Sequence, residues 1–190
     1  MLQAGLHNLR QASVRITEVS PRDGLQHESE FVPTLRKISL INALSRTGVA
    51  EIEASSFVSP AAIPQLADSD EVLRAIDRIP GVTYSALVPN ERGLERARAA
   101  GVDKIAVFTA ASNSFTRHNI KATVQESLVR FRPIVAAAKR DGLAVRAYLS
   151  TVVFCPYEGR IAPAQVRDVM ERLLDLAVDD ISLGETIGKA

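Results

Sequence analysis

Apolar, β-branched runs recur at residues 14–19, 49–54, 82–88, 104–108, 145–153 and 180–183, and a helix-like segment separates each from the next. In the longer separating segments the apolar positions share one helical face: Val124, Leu128, Phe131, Val135 and Ala138 in one, Val166, Met170, Leu173 and Ala177 in another. Strand then helix, repeated six times over, predicts an α/β fold with a parallel sheet. The helix-to-strand connections are short and carry Gly48, Gly81, Gly101 or Gly142, the residue type that stops a helix at its C-terminus. The strand-to-helix connections are longer and chemically richer: SSFVSPAAIPQLADS, TAASNSFTRHNIKA and VFCPYEGRIAP. Ligands of parallel β/α folds sit at the carboxyl ends of the strands, so the elaborated loops mark the active face.

In the fifth strand Arg146, Tyr148 and Ser150 share one parity and Val145, Ala147 and Leu149 the other. A barrel would turn the apolar set towards its helices and the polar set inwards. An interior arginine needs a partner, and two are open: a carboxylate such as Glu53, or the substrate itself. A complete eight-stranded barrel takes about 250 residues, and this sequence reaches its sixth strand within 190. The expected fold is therefore a partial (β/α)8 barrel, one domain over residues 1–190, with strands seven and eight missing. Open edges at strands one and six would favour a homo-oligomer. No G-x-G-x-x-G turn or P-loop is present, so nucleotide-binding folds lack their signature.

Composition narrows the function classes. With 46% apolar and 24% charged residues and a net charge of +1, the chain has no basic footprint for nucleic acid. Its one cysteine, Cys155, excludes an internal disulfide and a cysteine-based zinc site, and suits a reducing compartment such as the cytoplasm. No apolar run approaches the roughly 18–20 residues of a membrane span. Residues 1–13 lack acidic side chains and read as a short leader into the first strand.

The segments EVSPRDGLQHE, IEASSFVSPAAIPQLADSDEVL, ALVPNERGLERA, TAASNSFTRHNI, CPYEGRIAP and ISLGETIG together resemble the hydroxymethylglutaryl-CoA lyases, metal-dependent members of a lyase and Claisen-synthase superfamily of TIM barrels. SFVSP with CPYEG points to the lyase branch. The resemblance implies retro-Claisen cleavage of an acyl-CoA thioester, 3-hydroxy-3-methylglutaryl-CoA, to acetoacetate and acetyl-CoA. It implies Asp23 as a ligand to Mg²⁺ or Mn²⁺. Arg22 would stabilise the enolate that forms at the thioester carbonyl, where a fixed cation acts most strongly on the transition state. Glu53 would be an active-site carboxylate, with Gln26, Ser56, Tyr148 and Ser150 contacting substrate.

The sequence also departs from that pattern. The family completes its metal site with an H-x-H pair, whereas His7, His27 and His118 lie far apart here. Its catalytic cysteine lies in a glycine-rich loop with no counterpart, and Cys155 matches a second, site-proximal cysteine. Glu185 stands where the family usually has Asp, one methylene shorter. These departures keep open a non-catalytic acyl-CoA-binding remnant, or a related synthase. A Schiff-base aldolase is disfavoured because Lys104 begins strand four, at the end away from the site.

Overall fold

In the computed structural model, which describes residues 14–189, the chain alternates strand and helix throughout. The leader reading of residues 1–13, and His7 with it, lies outside the described residues. In chain order the elements are β1 (Thr17–Glu18), α1 (Thr34–Leu44), β2 (Glu51–Ser56), α2 (Ser69–Ala75), β3 (Thr83–Leu87), α3 (Glu91–Ala99), β4 (Lys104–Ala110), α4 (Asn113–Ile120), α5 (Val124–Arg140), β5 (Ala144–Ser150), β6 (Phe154–Cys155), β7 (Gly159–Arg160), α6 (Pro163–Leu174) and β8 (Asp180–Leu183). Six strands pair in parallel in the order β1-β2-β3-β4-β5-β8, and β6 and β7 form a separate antiparallel hairpin. No helix among the described residues is long and apolar enough to cross a membrane.

The sheet is curled into an open half-barrel, and side-chain reach shows it. Four strand spacings of about 4.8 Å would set β1 and β5 roughly 19 Å apart in a flat sheet. Yet Arg146 Nη1 on β5 donates to Thr17 Oγ1 on β1 at 3.3 Å. The curl leaves two layers. Outside, Val145, Ala147 and Leu149 of β5 are fully buried against the helices, as are Ile52 and Ile105 of the neighbouring strands. Inside, polar and charged groups face one another.

The apolar face of α5 is buried at all five expected positions. Thr123 and Glu126 close its N-terminus as a capping box, each side chain accepting from the other's backbone N–H at 3.1 and 2.7 Å. In α6 the expected face holds only to Leu173. The helix stops at Leu174, Ala177 is exposed with φ 64°, and Leu176 and Val178 enter the core instead.

Other boundaries moved for identifiable reasons. β1 is shorter than expected because it is an edge strand: Val14 and Ile16 are 86% and 59% exposed and carry no pattern of burial. β5 ends at Ser150 because Thr151 turns into the left-handed region at φ 57°, where a β-branched residue cannot continue a strand. Two of the long loops are partly ordered, one as α4 and one as the β6–β7 hairpin.

Candidate active site

The floor of the half-barrel is a network of charges. Glu51, fully buried, accepts from Arg146 Nη1 and Nη2 at 3.0 and 3.2 Å and from Lys104 Nζ at 3.2 Å. Asp180 on β8 accepts from Arg146 Nε at 2.6 Å and Lys104 Nζ at 2.5 Å. The interior arginine therefore finds its carboxylates in Glu51 and Asp180; Glu53, the partner suggested from sequence, is engaged one layer higher. Burial opposes the charge of Arg146, but its bond to Asp180 and the field of Glu51 outweigh it and raise its pKa. Burial likewise disfavours an ionised Asp180, and its bonds to Arg146 and Lys104 overcome that and lower its pKa.

The layer above is nearer the carboxyl ends of the strands. Just past β1, SPRDG winds into a single wide turn, Ser20–Gly24, in which Val19 O accepts from the N–H groups of Arg22 and Asp23 at 3.1 and 2.7 Å. Glu18 secures its start, accepting from Ser20 N–H at 2.7 Å, and that bond lowers the Glu18 pKa. The turn aims Arg22 inwards, where Nε donates to Glu53 Oε1 at 2.5 Å and Nη1 donates to Asp23 Oδ1 at 2.6 Å. Glu53 is fully buried, and its second oxygen accepts from the Tyr148 hydroxyl. Arg22, Asp23, Glu53 and Tyr148 thus form one connected cluster.

The electrostatics of the cluster follow from its burial. Desolvation works against the Arg22 charge, yet Glu53 and then Asp23 outweigh it and hold the pKa above its usual value. Burial and then the adjacent Glu53 charge push the Tyr148 hydroxyl well above the ordinary phenol range, so it remains a donor. Arg22 Nη2 makes no hydrogen bond to the described residues, which leaves a cation fixed at two nitrogens with donors to spare.

The remaining expected residues are placed unevenly. A bulge at Ala54 inserts one extra residue into β2 relative to β3, so Glu53 registers with Ser85 and Ser55 with Ala86. Ser56 accordingly returns to the interior face; it is buried, and its hydroxyl accepts from Val58 N–H at 3.2 Å. Ser150 ends β5 on the face of Tyr148, against Gly184, where an added Cβ would lie 3.5 Å from Ser150 Oγ. Gln26 is half-buried just beyond the turn.

Cys155 is fully buried and ties its loop to the one after β4: Sγ donates to Ser112 Oγ, at the start of α4, at 3.0 Å and accepts from Tyr157 N–H at 3.4 Å. Glu185 folds back on its own loop, accepting on Oε2 from the N–H groups of Ile187, Gly188 and Lys189, while Oε1 is buried with no partner.

The described residues do not by themselves complete a divalent-ion site; Asp23 offers one oxygen donor. Asp23 is half-exposed and pairs with Arg22. Among the described residues no three His, Cys, Asp or Glu side chains come together. Mg²⁺ needs near-octahedral oxygen coordination, which one carboxylate does not supply. His27 bonds the Asp23 backbone carbonyl at 2.7 Å, and His118 stacks on Tyr157 with ring centroids 4.1 Å apart.

Sequence reasoning missed Glu18, Glu51 and Asp180. The signal for Glu18 was its place two residues before Ser20, a local side-chain-to-backbone pattern. Glu51 was visible as a charge sharing the parity of Glu53 within a strand.

A family model described as HMGL-like matches residues 13–190. The mitochondrial hydroxymethylglutaryl-CoA lyase of Bos taurus is 51% identical over 175 residues, covering 92% of this chain and 54% of that protein. The cytoplasmic 3-hydroxy-3-methylglutaryl-CoA lyase of Danio rerio is 51% identical, covering 92% of this chain and 52% of that protein. Among solved structures, the HMG-CoA lyase of Brucella melitensis superposes with a TM-score of 0.91 at 54% identity, covering 93% of this chain and 62% of that one. An HMG-CoA lyase from Acinetobacter baumannii, in complex with coenzyme A and 3-methylmalate, gives a TM-score of 0.89 at 39% identity, covering 93% and 58%. The chain spans about half the length of the curated relatives it matches.

Proposed function

The chain belongs to the HMGL-like family, and from that premise we propose that it carries the thioester-binding centre of a carbon–carbon lyase that cleaves 3-hydroxy-3-methylglutaryl-CoA to acetoacetate and acetyl-CoA. The observation that supports this reading is the buried Glu53 carboxylate shared between Arg22 and Tyr148 at the carboxyl end of the half-barrel. In the cleavage the tertiary hydroxyl loses its proton, the carbon–carbon bond breaks, and its electron pair moves onto the thioester as an enolate. A proton then returns to carbon to give the acetyl group. Arg22 is suited to the enolate oxygen. Its charge is held by Glu53, its orientation is fixed at two nitrogens, and Nη2 remains free for an oxygen that becomes negative only in the transition state. Tyr148 keeps its proton on Oη and uses it to hold the Glu53 carboxylate in place.

Ser56 and Ser150 stand on the same interior face and would contact the acyl portion, with Gln26 at the rim. Lyases of this family are metal-dependent in general. In this reading Asp23 contributes one oxygen to Mg²⁺ or Mn²⁺, and no step above runs through the ion. We place the protein in the cytoplasm, a reading supported by its single, reduced and buried thiol, and we take it to act as a homo-oligomer.

The test uses the protein purified from the cell that makes it, with its intact mass determined. Supplied with Mg²⁺ or Mn²⁺ it should release acetoacetate from 3-hydroxy-3-methylglutaryl-CoA, and Arg22→Gln should lower kcat by about 100- to 1,000-fold, the scale of losing one donor to a developing oxyanion. No acetoacetate from the unaltered protein would overturn the reading, and net condensation in place of cleavage would move it to the synthases.

A further inference from the structure

Tyr148 is flanked by two guanidinium groups, Arg22 with Cζ 5.5 Å and Arg146 with Cζ 6.0 Å from its ring centroid. The first belongs to the site just described. The second does not, and it is among the most heavily tethered side chains of the interior. Its Nε is bonded to Asp180 on β8, its Nη1 to Glu51 on β2 and Thr17 on β1, and its Nη2 to Glu51. A planar fork bonded to three strands has little freedom to rotate, and its flat face makes a fixed neighbour for an aromatic ring. Two carboxylates call for a second cation beside Lys104, which bonds both, but charge balance alone would not demand a planar fork there. What Lys104 lacks is any contact with Tyr148 in the aromatic and hydrogen-bond geometry of the described residues.

We propose that Arg146 is a positioning residue: locked by Glu51 and Asp180, its guanidinium holds the Tyr148 ring so that the hydroxyl stays on Glu53, and Glu53 in turn holds the Arg22 guanidinium towards the substrate. The chain of contact runs from the floor of the half-barrel to its mouth, from Asp180 and Glu51 through Arg146 and Tyr148 to Glu53 and Arg22. The catalytic consequence rests on the lyase reading. The positioning itself does not, and it is measurable without turnover.

The experiment follows the ¹³C resonance of Tyr148 Cζ, which reports the hydrogen bond of the phenol, in the full chain. Tyr148→Phe assigns the signal, and the comparison is between the unaltered protein, Arg146→Gln, Arg146→Lys and Lys104→Met. Lys104→Met is the matched control: it takes a cation from the same two carboxylates without touching the ring. The resonance should shift or broaden in Arg146→Gln, less so in Arg146→Lys, and stay in place in Lys104→Met. In turnover, Arg146→Gln should lose about 100-fold in kcat with KM within about twofold, as expected when a misplaced group fails only in the transition state. Lys104→Met should keep kcat within about threefold, since it leaves that geometry intact.

Equal displacement of the resonance by Arg146→Gln and Lys104→Met, or displacement by neither, overturns the proposal. If Arg146→Gln does not fold, Arg146→Lys against Lys104→Met decides the matter by the same criterion. If even the unaltered protein releases no acetoacetate, the lyase reading falls, and the resonance contrast still settles the role of Arg146.

Discussion

Replacing Tyr148 by Phe removes one oxygen and leaves the ring between its two guanidinium neighbours. The lost contact is the bond from the hydroxyl to Glu53 Oε2, a fully buried carboxylate oxygen whose partner oxygen pairs with Arg22. Hydrogen bonds to charged groups contribute about 1.5–3 kcal/mol, so the variant should be less stable than the unaltered protein by that amount at pH 7. A second effect works in the opposite direction at high pH. The folded protein holds the Tyr148 pKa above its unfolded value, so the contribution is fully present below the unfolded pKa and is lost as pH rises above it. With an unfolded phenol pKa near 10, ionisation at pH 11 stabilises the unfolded chain by about 1.4 kcal/mol. The phenylalanine variant escapes that loss, and Tyr84 and Tyr157, present in both proteins, drop out of the difference. Urea unfolding followed by far-ultraviolet circular dichroism should therefore show a gap of about 1.5–3 kcal/mol at pH 7, closing by about 1.4 kcal/mol at pH 11. A gap of the same size at both pH values would refute the reasoning, because Tyr148 would then not be held as a buried, protonated donor.

Two further outcomes follow from buried charges. Lys37, 3% exposed, pairs with Asp68 at 2.6 Å and joins α1 to the segment before α2. Lys37→Met should cost about 3–5 kcal/mol by stranding Asp68, and adding Asp68→Asn should recover most of it; a single variant as stable as its parent in urea would count against the pair. Asp180 has its pKa lowered because the pull of Arg146 and Lys104 exceeds the cost of its burial. Its stabilisation is present above the unfolded pKa and disappears as pH falls through the lower folded value, so Asp180→Asn should flatten the acid limb of melting temperature against pH below about pH 4. Superimposable acid limbs would show that the floor network does not govern acid unfolding.

The strand-helix alternation was legible because the strands carry β-branched residues and four of them, β2 to β5, follow a glycine turn; those turns at Gly48, Gly81, Gly101 and Gly142 all adopt positive φ. The inward polar face of β5 was legible from parity alone. The identity of Arg146's partners was not, because Glu51 and Glu53 have the same parity in one strand, and only the curl of the sheet decides which of them meets Arg146 and which meets Tyr148. The grouping of Arg22, Asp23, Glu53 and Tyr148 came from motif likeness rather than from periodicity. Sequence spacing says nothing of a contact between positions 95 apart, such as Tyr148 with Glu53. The hairpin at Phe154–Arg160 escaped notice because its strands are two residues each, too short for alternation to register.

The bulge at Ala54 divides β2 into two stretches of opposite phase. Up to Glu53, odd-numbered residues look into the half-barrel; beyond Ala54, the even-numbered Ser56 does, and Ser55 turns outward to bond Ser69 at 2.7 Å. An alternation rule carried straight along the strand would therefore exchange the two serines, assigning the helix-facing one to the ligand and the ligand-facing one to the helices. It follows that a methyl group added at Ser55 tests how α2 packs on the sheet, whereas the same group at Ser56 tests the shape of the mouth, although the two positions are neighbours in the chain. Deleting Ala54 would restore a single phase, with Ser55 still outward and Ser56 still inward. That one-residue change would remove the local kink of β2 while each serine keeps its face, so the bulge serves the bend of the strand at the mouth and not the choice of serine.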